Sequence, residues 1–134
     1  MPIIDLKLSG TEDPRLAGDI VNIIHNLTQT ILNKRPEVTA VMVTFIPAHL
    51  RFINQVSLAD LHQNSFHLTI KITDSTNLKP DKSKYIKAVH EALGQHLENL
   101  HSVSYTAIQE MKADAYGYEG KTIEFKFINA SLYH

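Results

Sequence analysis

The clearest strand signal in this 134-residue chain is Phe66-His67-Leu68-Thr69-Ile70-Lys71-Ile72-Thr73, in which apolar and polar side chains alternate. Leu68, Ile70 and Ile72 share one face, because successive side chains of a strand point to opposite faces. A polar turn follows at residues 74–79, and Pro80 lies near the start of a helix. The apolar stripe of that helix is Ile86, Val89, Leu93, Leu97 and Leu100. Residues 103–111 then predict another strand.

The same order of elements occurs in the first half of the chain. Residues 3–8 predict a strand that ends at Ser9-Gly10, and Asp13-Pro14 is typical of a helix N-terminus. The apolar stripe of this helix is Leu16, Ile20, Ile23, Leu27 and Ile31. Lys34-Arg35-Pro36 ends the helix with cations near its negative end, and residues 38–46 predict a strand. The chain is therefore strand–helix–strand twice, with a period of about 65 residues.

Two such units predict an α+β fold. We expect duplicated β-α-β units that form a four-stranded sheet with both helices on one face. The length predicts a single domain, residues 1–134, with an internal repeat of residues 2–64 and 65–128. Residues 122–128 alternate strongly and predict a C-terminal strand. Short strands of this kind at the edge of a small domain favour pairing between subunits.

Composition excludes several functional classes. A hydrophobic content of 43% favours a folded core over intrinsic disorder. The net charge of -1, from 13 basic and 14 acidic side chains, predicts neither a nucleic-acid nor a membrane partner. The absence of cysteine excludes disulfides and thiolate metal sites. Without a signal-like N-terminus or a run of about 20 apolar residues, the expected compartment is the cytoplasm.

The eight histidines do not have the spacing of a metal site. No pair stands three or four positions apart on a predicted helix, as zinc-binding pairs do, and His90 and His96 are on different helix faces. The sequence also lacks a glycine-rich phosphate loop and a G-x-S-x-G motif. We therefore expect neither a bound metal nor an organic cofactor.

The second residue of the chain is the strongest candidate for chemistry. Removal of Met1 would leave Pro2 with a free secondary amine, whereas the nitrogen of every later proline is an amide. A free α-amine titrates near pH 8 in water, and both burial and a nearby cation lower its pKa. A neutral amine of this kind is a general base that can abstract a proton α to a carbonyl. Ile3, Ile4 and Phe66 are candidate apolar walls for such a site.

Three stretches together resemble the tautomerase superfamily: the Pro2 strand, residues 66–72 and residues 110–118. The middle stretch is similar to 5-carboxymethyl-2-hydroxymuconate isomerase. The last resembles both 4-oxalocrotonate tautomerase and macrophage migration inhibitory factor, which share an acid-Met pair before a glycine-containing turn. The resemblance covers most of the chain. It implies a homotrimer of β-α-β units with active sites at subunit interfaces and with the N-terminal proline as base.

The resemblance also implies roles for individual side chains. Lys34 matches the pocket lysine of the migration-inhibitory-factor branch, and Tyr105 matches a tyrosine that this branch takes from a neighbouring subunit. Tyr116 matches an aromatic residue that closes the pocket in the oxalocrotonate branch. From residue chemistry, Arg51 and Arg15 are candidate carboxylate clamps, since an arginine binds a carboxylate with two hydrogen bonds. The same residues also suit structural roles: helix capping for Lys34, packing for the tyrosines and solvated surface charge for the arginines.

The sequence departs from the oxalocrotonate branch at two positions, where Glu12 and Met42 stand in place of arginines. Both departures weaken the case for a dicarboxylate substrate. The predicted function is therefore that of a tautomerase, an isomerase in which Pro2 transfers a proton on a small 2-oxo acid or enol once Met1 is removed. One alternative is a non-catalytic trimeric binding or signalling module that retains Met1. Another is a proline-dependent hydratase or dehalogenase, which requires an acid placed to activate water.

Overall fold

The computed structural model describes residues 1–132 of the chain. Its strands and helices, in order, are β1 Ile3–Ser9, α1 Pro14–Leu32, β2 Ala40–Ile46, β3 Phe52–Ile53, β4 Val56–Ser57, α2 Leu58–Leu61, β5 Phe66–Thr73, α3 Lys79–His96, β6 Tyr105–Met111, β7 Gly117–Tyr118, β8 Lys121–Thr122 and α4 Ile123–Leu132. Single turns of 3-10 helix lie at Pro36–Val38 and Ala48–Leu50. The predicted strand–helix–strand order thus occurs in both halves.

The main sheet has four strands in the order β2-β1-β5-β6. β1 runs parallel to β2, β5 runs parallel to β6, and the two central strands β1 and β5 are antiparallel. This sheet, with α1 and α3 packed together against it, confirms the predicted α+β class. The shortest strands pair within the chain as two ribbons, β3 with β4 and β7 with β8. Their pairing between subunits stays a prediction.

The core lies between one face of the sheet and the two long helices. Alternate residues of the central strands point into it, among them Leu6 of β1 and Ile70 of β5, which are both fully buried. Thr28 of α1 and Tyr85 of α3 join the helices through a buried hydrogen bond of 2.9 Å. The Thr28 hydroxyl already donates to the Ile24 carbonyl, so Tyr85 is the donor to Thr28.

The ends of α1 place residues that matter for the site. Asp13 caps the helix, because its Oδ1 accepts a hydrogen bond of 3.1 Å from the Leu16 amide, as its position before Pro14 predicts. At the other end Asn33 has a left-handed φ of 55° and its amide bonds to the Thr28 carbonyl. Asn has a smaller steric cost than most residues in this conformation. The turn that follows positions Lys34 beside the start of the chain.

The predicted C-terminal strand at residues 122–128 is wrong, since the chain forms α4 from Ile123 onward. The strand β8 ends at Thr122, whose Oγ1 accepts a hydrogen bond of 3.0 Å from the Phe125 amide and so begins the helix. The amides of Ile123 and Glu124 bond to the carbonyls of residues 116 and 113. A short apolar run fits either a strand or a helix by periodicity, and these local bonds favour the helix.

Candidate functional site

The first two residues of the chain lie at the N-terminal end of β1, against the start of β2. Pro2 is buried, and its carbonyl accepts a hydrogen bond of 3.3 Å from the Ala40 amide. A cavity of about 370 Å³ opens beside it, bounded by residues 1–3, 37–40, 116–118 and Ile123. We call this the Pro2 cavity.

A larger cavity of about 730 Å³ adjoins the first, because Met1, Tyr118 and Ile123 line both. We call it the α4 cavity, since Phe125, Phe127 and other residues of α4 form one of its walls. Its remaining walls come from residues 32–35, from Thr73 and Thr76, and from Lys121. Lys34 and the chain terminus therefore face the same space.

Tyr116 fixes the position of the Met1–Pro2 peptide. Its hydroxyl donates a hydrogen bond of 3.3 Å to the Met1 carbonyl and accepts one from the Thr73 hydroxyl. The carbonyl carbon of Met1 is bonded directly to the Pro2 nitrogen, so the phenol lies close to that nitrogen. Burial raises the pKa of Tyr116, with the Thr73 hydrogen bond opposing the shift, and this keeps the phenol a neutral donor.

The electrostatics of the site disfavour a charged amine. The pKa of the Met1 amine is lowered from 8.0 to about 6, first by burial and then by the positive charges of Lys34 and Arg35. Burial also lowers the pKa of Lys34, an effect that the negative charge of Glu110 opposes. Lys34 is 9% exposed, and its Nζ donates a hydrogen bond of 2.8 Å to the Thr76 hydroxyl.

The structure brings three of the predicted site residues together. Pro2, Lys34 and Tyr116 surround Met1, with Tyr116 in the Pro2 cavity and Lys34 in the α4 cavity. They come from the first strand, the end of α1 and the turn after β6, so only the tertiary fold makes them neighbours. Their roles as base, cation and hydroxyl donor remain proposals.

The other predicted site residues lie elsewhere in the chain. Tyr105 pairs with His67, which in turn pairs with Lys7 of β1. Lys7 is four positions from Ile3, or about 13 Å along the strand, so Tyr105 lies far from Pro2. Arg51 lines a separate cavity of about 250 Å³ together with Lys7 and His67. Tyr105 is 58% exposed, so its predicted contribution to a neighbouring subunit's site stays a prediction.

Phe66 does not form a wall of the Pro2 cavity within the chain. Its ring is 1% exposed and packs in the core, with its centroid 5.9 Å from that of His90. It pairs with Leu8 at the end of β1 farther from Pro2. The described structure therefore gives Phe66 a packing position.

Four residues around Met1 were not expected from the sequence: Thr73, Thr76, Tyr118 and Arg35. Thr73 precedes the predicted turn after β5 and Thr76 lies within it, and they hold Tyr116 and Lys34 through hydrogen bonds. Threonine is common at strand ends, so the presence of these two residues did not indicate a functional role. Arg35 is adjacent to Lys34, which was the available signal for a second cation.

Two wider properties of the described residues bear on function. Among residues 1–132, no helix has both the length and the apolar character needed to cross a membrane. Within the same range, no three histidine, aspartate or glutamate side chains converge in a way that would hold a metal ion.

No family model and no curated protein matches this sequence, but several solved structures match its fold. A native fused 4-OT superposes with a TM-score of 0.81 at 17% identity, covering 92% of this chain and 97% of that one. A macrophage migration inhibitory factor-like protein from Entamoeba histolytica gives a TM-score of 0.71 at 18% identity over 90% and 97%. Pt0534, solved after inactivation by 2-oxo-3-pentynoate, gives a TM-score of 0.80 at 6% identity, covering 92% of this chain and 98% of that one.

These likenesses identify the class of fold. The chain has the fold of the tautomerase superfamily, and the resemblance predicted from the sequence is confirmed at that level. At identities of 6 to 18%, the likeness extends to the fold and not to the reaction.

Proposed function

We propose that this protein, once Met1 is removed, is a tautomerase in which the Pro2 nitrogen acts as general base. The observation that carries the proposal is the buried start of the chain, where the terminal amine has its pKa lowered to about 6 beside Lys34 and Arg35. Pro2 is buried, whereas Met1 is half-buried, and the Pro2 nitrogen is only one residue from the Met1 amine on which these cations act. We therefore expect its amine, when free, to have a pKa below the ordinary value of about 8.

The reaction proposed is keto–enol proton transfer on a small 2-oxo acid. The neutral Pro2 nitrogen takes the proton of the enol hydroxyl, electron density moves to the enol carbon, and the prolinium returns the proton to that carbon. The net change is an isomerisation that needs no oxidant and no cofactor. Lys34 and Tyr116 supply an ammonium and a hydroxyl donor for the oxygen on which negative charge develops.

Loss of Met1 would change the site in two ways that favour this chemistry. It would empty the volume that Met1 occupies where the two cavities meet. It would also free the Tyr116 hydroxyl, whose acceptor is the Met1 carbonyl. A substrate carbonyl oxygen can then take the place of the Met1 carbonyl as the acceptor from Tyr116.

We propose a homotrimer in which neighbouring subunits complete each site. Structures of fused 4-OT proteins include asymmetric and symmetric trimers. The sheet face opposite the helices exposes apolar side chains, with Ile3 42% and Met42 59% exposed. Such a face suits contact with another copy of the chain. Tyr105 and Arg51, which lie far from Pro2 in their own subunit, would reach the substrate of a neighbour in this arrangement.

The site favours tautomerisation over hydration or dehalogenation. Those reactions require a carboxylate that activates water, and the carboxylate among the described residues of the Pro2 cavity is Glu37. Its pKa is lowered, first by a hydrogen bond from its own backbone and then by Arg35, with which it forms an ion pair at 2.7 Å. A carboxylate stabilised as an anion in this way is a weak base.

One observation favours a second candidate, a non-catalytic binding module that retains Met1. The Met1 carbonyl has a hydrogen-bond donor in Tyr116, so the fold accommodates the intact Met1–Pro2 peptide. In that form the Pro2 nitrogen is an amide and has no basic lone pair. The mass of the chain isolated from its natural source distinguishes the two candidates, since only a chain that lacks Met1 can use Pro2 as a base.

The pH dependence of catalysis tests the proposed role of Lys34. Because the base must be neutral, kcat/KM should fall as the pH drops through the Pro2 pKa. Lys34→Met removes a positive charge that lowers the pKa of an amine at this site, so the acidic limb should move to higher pH. The measurement is kcat/KM against pH for ketonisation of the enol of phenylpyruvate, with protein that begins at Pro2.

Lys87→Met is the matched control, since Lys87 is an exposed lysine of α3 with a side chain 78% exposed. It should leave the limb where it is. A limb that stays fixed in Lys34→Met, or that moves equally in both variants, would remove Lys34 from the electrostatics of the site.

A further inference from the structure

The α4 cavity is larger than a three- or four-carbon acid requires. Its volume of about 730 Å³ adds to the 370 Å³ of the Pro2 cavity. Volumes of about 300–1,000 Å³ are typical of sites for drug-sized ligands. Such a space next to the proposed base indicates a substrate that extends beyond the reacting carbons.

Several residues that line the α4 cavity are apolar. Leu32 at the end of α1 and Phe125, Phe127 and Ala130 of α4 all line it. Phe125 is 49% and Phe127 70% exposed, so a helix of 10 residues presents large apolar side chains around a concave space. Exposed apolar surface at a concavity is typical of a ligand site, because a ligand removes that surface from water.

The charged side chains that line the cavity are positive. Among the described residues that line it, every charged side chain is a cation: Lys34, Arg35, Lys121 and Lys126. Arg35 is paired with Glu37 at 2.7 Å, and Lys126 with Glu119 at 3.0 Å. Lys34 instead donates to the neutral hydroxyl of Thr76. Within the described range no carboxylate lies at ion-pair distance from Lys34, so its charge is available to an anionic ligand.

We propose that the α4 cavity binds the apolar tail of an amphipathic monocarboxylate, with the carboxylate at Lys34 and the tail against Phe125 and Phe127. The reacting carbons of such an acid would lie between Lys34 and Pro2, near the volume of Met1. The substrate class is thus an enolisable 2-oxo acid with a tail of several carbons. This assignment of substrate rests on the proposed function, whereas the binding of the tail does not require catalysis.

Binding of two unreactive acids tests the tail site separately from the reaction. The protein begins at Pro2, and the probes are octanoate and butyrate, titrated by NMR. Octanoate should bind at least about tenfold more tightly than butyrate, because its additional methylenes leave water. Ala130→Trp, which adds a large side chain to the wall of the α4 cavity, should reduce the affinity for octanoate about tenfold and leave that for butyrate unchanged.

Further variants separate the parts of the site and guard against misfolding. Phe127→Ala removes part of the apolar wall without adding bulk and should also weaken octanoate selectively. Lys34→Met should weaken both acids, because both carry the carboxylate. Phe52→Ala is the control, since Phe52 is a 54% exposed phenylalanine of β3 that does not line either cavity.

Equal affinities of octanoate and butyrate in the parent protein would overturn the tail site. So would Ala130→Trp and Phe127→Ala proteins that remain folded and bind octanoate as the parent does. A selective octanoate site in a protein without ketonisation activity would refute the tautomerase and leave the tail site standing. Ketonisation without selective binding of octanoate would refute the tail site and leave the tautomerase standing.

Discussion

A chain that keeps Met1 is expected to ketonise the enol of phenylpyruvate at least about 100-fold more slowly than a chain that begins at Pro2, because general-base catalysis contributes about 10²–10⁴-fold. In the longer chain the Pro2 nitrogen is an amide and its lone pair is delocalised. The Met1 carbonyl also occupies the hydroxyl donor of Tyr116. Both effects disappear when a single residue is removed.

The comparison requires two preparations of one sequence, released from an N-terminal fusion so that one begins at Met1 and the other at Pro2. Mass spectrometry verifies each terminus, and thermal unfolding verifies that both are equally folded. Equal kcat/KM values in two folded preparations would exclude Pro2 as the base. The matched pair leaves every side chain after Met1 unchanged, so a difference in rate belongs to the terminus.

Phe66→Ala is expected to lower the free energy of unfolding by about 3–5 kcal/mol, the usual cost of deleting a large buried aromatic side chain. Phe66 is 1% exposed and packs against His90 of α3 and the other core residues of the central strands. Urea unfolding followed by circular dichroism measures the loss. Because the ring lies outside the Pro2 cavity, KM in the absence of denaturant should stay close to that of the parent.

Phe52→Ala provides the comparison for stability as well. Phe52 is 54% exposed on β3, so its truncation should change the free energy of unfolding by no more than about 0.5 kcal/mol. If Phe66→Ala instead raised KM several-fold with little loss of stability, Phe66 would be a substrate-binding residue, as first expected from the sequence.

Periodicity predicted the main sheet and its two long helices because each element is long and has one buried face. Ile4, Leu6 and Leu8 alternate in β1 and are all buried. In β5 the same alternation places Phe66 on the buried face with Leu68, so the sequence pattern already implied that Phe66 is buried. Asp13 before Pro14 located the start of α1, and its capping bond confirms it. A capping bond of this kind joins residues three positions apart, so it can be predicted from the local sequence.

The C-terminal segment shows where periodicity fails. Ile123, Phe125 and Phe127 alternate as in a strand, yet Ile123 is buried at the first turn of a helix. The bonds that begin α4 join residues 123 and 124 to residues 116 and 113, across a turn whose conformation the pattern does not specify. A short segment thus takes its conformation from hydrogen bonds to the preceding turn rather than from alternation.

The candidate site was predictable only in part, because its contacts are distant in sequence. Lys34 and Tyr116 were expected from the resemblance to the tautomerase superfamily. Thr73 contacts Tyr116 across 43 positions, and Thr76 contacts Lys34 across 42. The sequence around each threonine does not indicate which distant residue it will contact. Tyr105 and Arg51 depend on a second subunit, and the sequence of one chain does not place them relative to a neighbour.

The protonation of Pro2 itself tests the central claim most directly. In a chain that begins at Pro2 and carries ¹⁵N-labelled proline, an NMR titration follows the secondary amine without any substrate. The account predicts a pKa clearly below the ordinary value of about 8, so that the neutral fraction of the amine near pH 7 is well above that of a free chain terminus. A pKa at or above that value would contradict it, because the amine would then be mainly protonated and unable to act as the base.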